Sequence, residues 1–231
     1  MITRSDAYYD SEKTSNLYGG KGMWFMDERF AQAKKLAEEI LSEIKFDGEG
    51  IISLSAVIRA VEKRTSVTVR FAEYDFSKLS SNTKNKDRLE KCGAAMCVES
   101  DESGKLATIL LNKKESPEMK RFSLVHELGH LLLDPPEEIG AYRVSTHINM
   151  DIVSFPKHVI ESMRGKPVYD ILLNEQSANI FAIMVLLPYE ILKNRMEKER
   201  SLEAVAKSLG VDPKAVCSRL ILYQEERDDG C

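Results

Sequence analysis

Hydrophobic residues recur at helical spacing in the first quarter of the chain. The stretch from Asp27 to Ile44 predicts an amphipathic helix, and Leu54 to Arg64 predicts a second one with Ser53 in the capping position. The apolar positions of the first helix fall on one side, at Phe30, Ala33, Ala37, Ile40, Leu41 and Ile44. Both helices are therefore expected to pack against a core.

The same spacing returns near the carboxyl end. Leu202 to Leu209 predicts a helix that ends at Gly210, and Asp212-Pro213 opens another that reaches Tyr223. A helix, a short turn and a helix can read DNA. Because few basic side chains lie at the start of the second helix, packing against the rest of the protein or contact with another protein is the favoured interpretation.

Alternation of polar and apolar residues predicts strands between these helices. Ser66 to Tyr74 is β-branched and alternating, and residues 94–99 and 105–112 form two further strands joined by a turn at 101–104. The polar residues 75–92 are expected to form a surface loop. A small antiparallel sheet followed by a mostly helical part predicts an α+β fold.

A long apolar helix carries the first chemical motif. Ser116-Pro117 is a favourable start and Pro135-Pro136 a stop for a helix that contains His126, Glu127 and His130. Residues four apart lie about 40° from each other around a helix axis, so both imidazoles can reach one metal ion. Glu127 lies beside them, where it can act on a water molecule. This HEXXH pattern is typical of zinc hydrolases, although a core helix with two hydrogen-bonded histidines has the same spacing.

A third metal ligand is expected from a second apolar helix between Asn174 and Pro188. Glu175 and Asn179 are one turn apart and face the same way. We infer that Glu175 is the ligand and that the amide oxygen of Asn179 accepts the Nδ1–H of a ligating histidine. The alternative is that both residues only form the polar first turn of a core helix, with Asn174 as its cap.

Together these two motifs resemble the ImmA/IrrE family of zinc metallopeptidases. The similarity is carried by residues 121–133 and by the pattern Glu175-x-x-Ala178-Asn179, and residues 202–220 resemble the helical tail that follows them. By residue matching it implies one zinc ion with His126, His130 and Glu175 as ligands, and Glu127 as the catalytic base. The second motif is also similar to the ligand helix of gluzincins, in which an aspartate usually stands where Asn179 does.

The resemblance further implies a function. Family members are cytoplasmic site-specific proteases that cleave helix-turn-helix repressors and so derepress mobile-element, prophage or stress genes. The expected partner is therefore a separate repressor protein. The alternative is a non-proteolytic regulatory binding protein with a structural or vestigial metal site.

Composition and charge indicate the cellular compartment and exclude some classes of partner. A net charge of −4 and a pI near 5.7 argue against direct nucleic-acid binding. Four cysteines without a C-x-x-C pair indicate free thiols in a reducing compartment. The first residues lack the apolar segment of a secretion signal, and the longest apolar run is too short to cross a bilayer. A cytoplasmic protein without a membrane partner is expected.

The expected organisation has four parts. Residues 1–26 form a flexible leader, 27–50 an N-terminal amphipathic helix, 51–200 the metallopeptidase domain, and 201–231 a helix-turn-helix-like tail packed on it. Residues 137–170 have no clear period and are expected to cover the active-site cleft. Candidate donors to the oxyanion of the reaction are Tyr142, His147 and Tyr169.

Overall fold

A computed structural model describes residues 28–44, 50–80, 86–102, 104–134, 142–145, 165 and 167–228. Its helices are α1 (Glu28–Glu43), α2 (Leu54–Thr65), α3 (Lys86–Leu89), α4 (Pro117–Leu133), α5 (Pro167–Leu186), α6 (Tyr189–Lys198), α7 (Leu202–Leu209) and α8 (Pro213–Asp228). Its strands are β1 (Val67–Tyr74), β2 (Ala94–Asp101), β3 (Gly104–Asn112) and β4 (Tyr142–Ser145). The predicted α+β class is confirmed.

The sheet is mixed, so the predicted antiparallel sheet is wrong in one respect. Its strand order is β1-β3-β2-β4, with β1 parallel to β3 and the other pairs antiparallel. The hairpin of β2 and β3 follows from the local turn at Asp101 and Gly104. The pairing of β1 with β3 is set by tertiary packing, because the 29 residues between the end of β1 at Tyr74 and the start of β3 at Gly104 are too many for a local turn. The alternation of polar and apolar residues in β1 does not determine whether the strand pairs parallel or antiparallel.

The helices begin and end next to the capping residues that the sequence predicts. Ser116 accepts a hydrogen bond from the Met119 amide at 3.1 Å, and Pro117 occupies the first turn of α4. Gly210 ends α7 at φ 63°, a left-handed conformation that glycine adopts without strain. Ser53 precedes α2 as predicted, but its side chain makes no capping hydrogen bond.

The two apolar helices form the centre of the core. Helix α4 packs against α5, α1 packs against both, and α4 also lies on strands β2 and β3. Their shared core includes Phe122, Leu124, Leu128, Leu131, Ile180, Phe181, Ile183 and Leu187, all nearly inaccessible to solvent. Burying a large aliphatic or aromatic side chain contributes about 1.5–3 kcal/mol. This packing fixes the relative position of the two motif-bearing helices.

The segment predicted as a surface loop is partly ordered and partly buried. It contains a 3-10 turn at Phe76–Lys78 and helix α3, and Phe76 and Cys92 lie with Ala95 in a small second cluster. Because residues 75–92 are mostly polar, their pattern did not indicate that Phe76 and Cys92 are buried.

The carboxyl-terminal helices pack on the core helices. The Nε of Arg219 on α8 donates to the carbonyl oxygen of Leu187 at 3.2 Å, and the rings of Tyr189 and Tyr223 stack with centroids 3.7 Å apart. These contacts are compatible with the proposed tail, whose boundary at residue 201 stays a proposal.

Among the described helices, none is by itself long and apolar enough to cross a bilayer. The bent pair Tyr169–Leu186 and Tyr189–Lys198, with 58° between its halves, satisfies the length and composition criteria jointly.

Candidate metal centre

Two histidines project from one face of α4 into the core. His126 and His130 are both 0% exposed, and their Nε2 atoms lie 2.9 Å apart. This proximity follows from their spacing of four residues on a helix. Glu127, between them in sequence, is also 0% exposed.

Helix α5 brings the predicted third donor to these rings. The carboxylate oxygens of Glu175 lie 3.4 Å from Nε2 of His126 and 3.5 Å from Nε2 of His130, and its side chain is 23% exposed. Within the described residues, this trio is the group of histidines and acidic residues arranged so that it could hold a metal ion. The sequence-predicted donors are therefore brought together.

Asn179 fixes the orientation of one ring. The Nδ1–H of His126 donates to Oδ1 of Asn179 at 2.9 Å, so Nε2 of His126 carries a lone pair directed at the other donors. Helix α5 begins at Pro167, seven residues before Asn174. The alternative in which Asn174 caps this helix is consequently wrong.

The donor set fits a small divalent cation. Two unprotonated Nε2 atoms facing each other at 2.9 Å would repel, so a proton or a cation must lie between them. Donors placed about 2.0–2.1 Å from a tetrahedral zinc are about 3.3 Å from one another. The observed separations of 2.9, 3.4 and 3.5 Å lie around that value. Two imidazoles and one carboxylate are also the ligands of many catalytic zinc sites.

The pKa shifts of Glu175 and His130 also indicate a site for a cation. Burial raises the pKa of Glu175, but hydrogen bonds and charges from His126 and His130 outweigh it and leave the pKa below its usual range. Burial lowers the pKa of His130, but Asp134, Glu175 and Glu127 together raise it above its ordinary value. The centre therefore favours positive charge between its donors.

The predicted oxyanion donors are only partly located. Tyr169 is buried on α5, six residues before Glu175. Tyr142 belongs to β4, but its side chain lies outside the described part of the structure, and His147 lies outside the described residues altogether. Most of the 137–170 segment, which was expected to cover the cleft, is outside them too.

Asp134 is a neighbour of the centre that the sequence analysis missed. It follows the last residue of α4, and its Oδ2 lies 3.6 Å from Nδ1 of His130. A signal was present, because an acidic residue one helical turn after the second histidine lies on the same face.

Close contact between α4 and α5 depends on Gly129, between the two histidine turns. A Cβ atom at this position would lie 2.9 Å from Cδ1 of Phe181 and 3.3 Å from Cα of Ala178. The second contact is with backbone, which a rotamer change cannot relieve. Glycine here lets the helix that carries Glu175 approach the histidines.

We therefore expect Gly129→Ala to weaken the metal centre. Overpacking costs about 1–3 kcal/mol and exceeds the roughly 1 kcal/mol that alanine gains in a helix. Stability should fall slightly in chemical denaturation, and Zn²⁺ affinity should fall more, because the helices move apart. Adding Phe181→Leu should restore part of the affinity. An unchanged affinity in Gly129→Ala would show that the close approach is not needed.

No curated protein matches the sequence. A solved structure described as a Mycobacterium tuberculosis transcriptional regulator aligns with 94% of the chain at 14% identity and a TM-score of 0.44, and the chain spans 50% of that protein. A similarity this low supports no statement about the function of the chain.

A family model gives the clearer result. The model of a peptidase family, described as the IrrE N-terminal-like domain, matches residues 83–147 and 168–221, which is just over half of the chain. The matched residues include the histidines of α4 and the glutamate of α5. The chain therefore belongs to the IrrE N-terminal-like peptidase family.

Proposed function

We propose that the protein is a zinc-dependent endopeptidase. The observation that carries this proposal is the convergence of His126, His130 and Glu175, with Glu127, the residue that follows His126 on the same helix, fully buried. Membership of a peptidase family supports it independently.

Each residue has a role in the proposed reaction. His126, His130 and Glu175 would hold the ion, and Asn179 would keep the His126 ring directed toward it. A zinc ion held there would supply Lewis acidity toward the peptide carbonyl and the attacking water. Glu127 would accept a proton from that water and deliver it to the leaving amide nitrogen. Its burial favours this transfer, because few solvent molecules compete for the proton.

The oxyanion of the reaction needs a hydrogen-bond donor in addition. Tyr142, His147 and Tyr169 remain the candidates for this role. An extended substrate could pair with an outer strand of the sheet, either β1 or β4, by adding a strand of its own.

For the substrate, we propose a helix-turn-helix repressor cleaved at a specific site in the cytoplasm. The ground for this choice is the family resemblance of the two motifs. Cleavage would derepress mobile-element, prophage or stress genes. The net charge of −4 suits a protein partner better than nucleic acid.

Metal removal tests the proposal directly. The protein should be incubated with a helix-turn-helix repressor encoded beside it, and the products analysed by mass spectrometry. We expect two repressor fragments from a single cut, none after dialysis against a chelator, and recovery of cleavage when Zn²⁺ is restored. Cleavage that persists in the chelated protein would contradict a metal-dependent mechanism.

A further inference from the structure

Asp134 lies between the metal centre and the N-terminal helix. Its Oδ2 is 3.6 Å from Nδ1 of His130, and its Oδ1 forms an ion pair with Nη2 of Arg29 at 3.0 Å. The Asp134 side chain is 15% exposed and that of Arg29 41%. One carboxylate thus faces a buried histidine on one side and a cation of α1 on the other.

This carboxylate faces the ring nitrogen of His130 that is turned away from the other metal-ligating atoms. Its Nε2 points toward His126 and Glu175, so its Nδ1 is the nitrogen left to be held from behind. Within the described residues, that buried Nδ1 has no hydrogen-bond partner at full bonding geometry, and the Asp134 carboxylate is the group that faces it. The Oδ2 of Asp134 is the oxygen placed to accept it, after a shift of about 0.7 Å to the usual 2.9 Å. His126, in contrast, is held by the neutral amide of Asn179.

Asp134 lies at the end of α4 that is unfavourable for a negative charge. A negative charge at the carboxyl end of a helix opposes the helix dipole, typically by about 0.3–1 kcal/mol. Asp134 caps α4 at that end, with its amide bonded to the carbonyl oxygen of His130. The guanidinium of Arg29 offsets the unfavourable charge. Arg29 lies outside the residues matched by the family model, so α1 adds this contact to the family's domain.

We propose that Asp134 and Arg29 are positioning residues for the metal centre. Asp134 accepts the Nδ1–H of His130 and directs its Nε2 toward the ion, and Arg29 holds the carboxylate in place. The inference rests on the proposed function, because it assigns these residues a role in holding the same ion. It makes the N-terminal helix a part of the site.

Zn²⁺ affinity, measured by competition with a chromophoric chelator, tests the role of Asp134. Loss of a group that orients a metal ligand typically lowers affinity about 10- to 100-fold, so we expect that loss in Asp134→Ala. Asp134→Asn should fall between it and the native protein, because an amide oxygen still accepts Nδ1–H, as Asn179 does for His126. Metal-free Asp134→Ala should unfold cooperatively, and its stability should stay near the native value because a charge opposed to the dipole is removed.

Arg29 is tested by a double-mutant cycle. Its pair with Asp134 is partly exposed, and such pairs contribute little, so Arg29→Gln should lower Zn²⁺ affinity by only about 2- to 5-fold. In the Asp134→Ala background the same change should have no further effect, because Arg29 acts through Asp134. Glu43→Gln is the matched control, since it removes an ion pair between α1 and Arg64 away from the centre. The Zn²⁺ affinity of Glu43→Gln should equal that of the native protein.

The outcomes separate this inference from the proposed function. If Asp134→Ala binds Zn²⁺ with the same affinity as the native protein, the proposed role of Asp134 is wrong. A full effect of Arg29→Gln in the Asp134→Ala background would overturn the coupling of the two residues. A native protein that binds no Zn²⁺ would overturn the proposed function itself.

Discussion

Glu127→Gln is expected to remove peptide hydrolysis while the protein keeps its metal. The amide is nearly the same size as the carboxylate, so the fully buried position should accept it without a cavity. It cannot accept a proton from water, and loss of a general base typically lowers the rate about 10²- to 10⁴-fold. Zn²⁺ content should stay native, because Glu127 is not among the three donors that converge.

Cleavage rates under single-turnover conditions and metal analysis of the same samples would measure both effects. Glu118→Gln is the matched control, because it makes the same chemical change in the first turn of the same helix. It should cleave at the native rate. A Glu127→Gln protein that holds Zn²⁺ and still inactivates the repressor in cells would favour the non-proteolytic regulator.

Glu175→Gln is expected to have the largest effect on metal binding. Changes in groups that merely orient ligands cost about 10- to 100-fold in affinity, so loss of a negatively charged ligand should exceed about 100-fold. The thermal stabilisation by Zn²⁺ should disappear with it. A ligand present at 100 times its Kd stabilises the native state by about 2.7 kcal/mol, which a thermal melt resolves easily.

Asp170→Asn provides the comparison, since Asp170 is exposed in the first turn of the same helix. Zn²⁺ should raise the melting temperature of Asp170→Asn as much as it raises that of the native protein. Tight Zn²⁺ binding by Glu175→Gln would show that the two histidines are completed by a donor other than this carboxylate, and the ligand set proposed here would be wrong.

Local chemistry accounts for the part of the fold that could be predicted. Ser116 and Pro117 begin α4, Gly210 ends α7, and the turn at 101–104 closes a hairpin. Each of these features depends on atoms within a few residues of one another. The pairing of His126 with His130 belongs to the same class, because a single helical turn places both rings on one face.

Features that depend on residues far apart in sequence were predicted less well. The parallel pairing of β1 with β3 joins residues 38 positions apart, and no local turn fixes their order. The burial of Phe76 was missed within a polar stretch, because burial depends on what the rest of the chain places above that position. Helix α5 starts at Pro167, earlier than the polar residues before Glu175 suggested.

The sequence by itself determined the two motifs, the helices that carry them and the types of donor atom that they offer. Only the tertiary structure decided that these donors meet: α5 packs on α4 at Gly129, which brings Glu175 to 3.4 and 3.5 Å from the two rings. It also decided the contact of Arg29 with Asp134 across 105 residues. Helix formation is governed by neighbouring residues, whereas the distance between two helices depends on the volume and shape of every side chain between them.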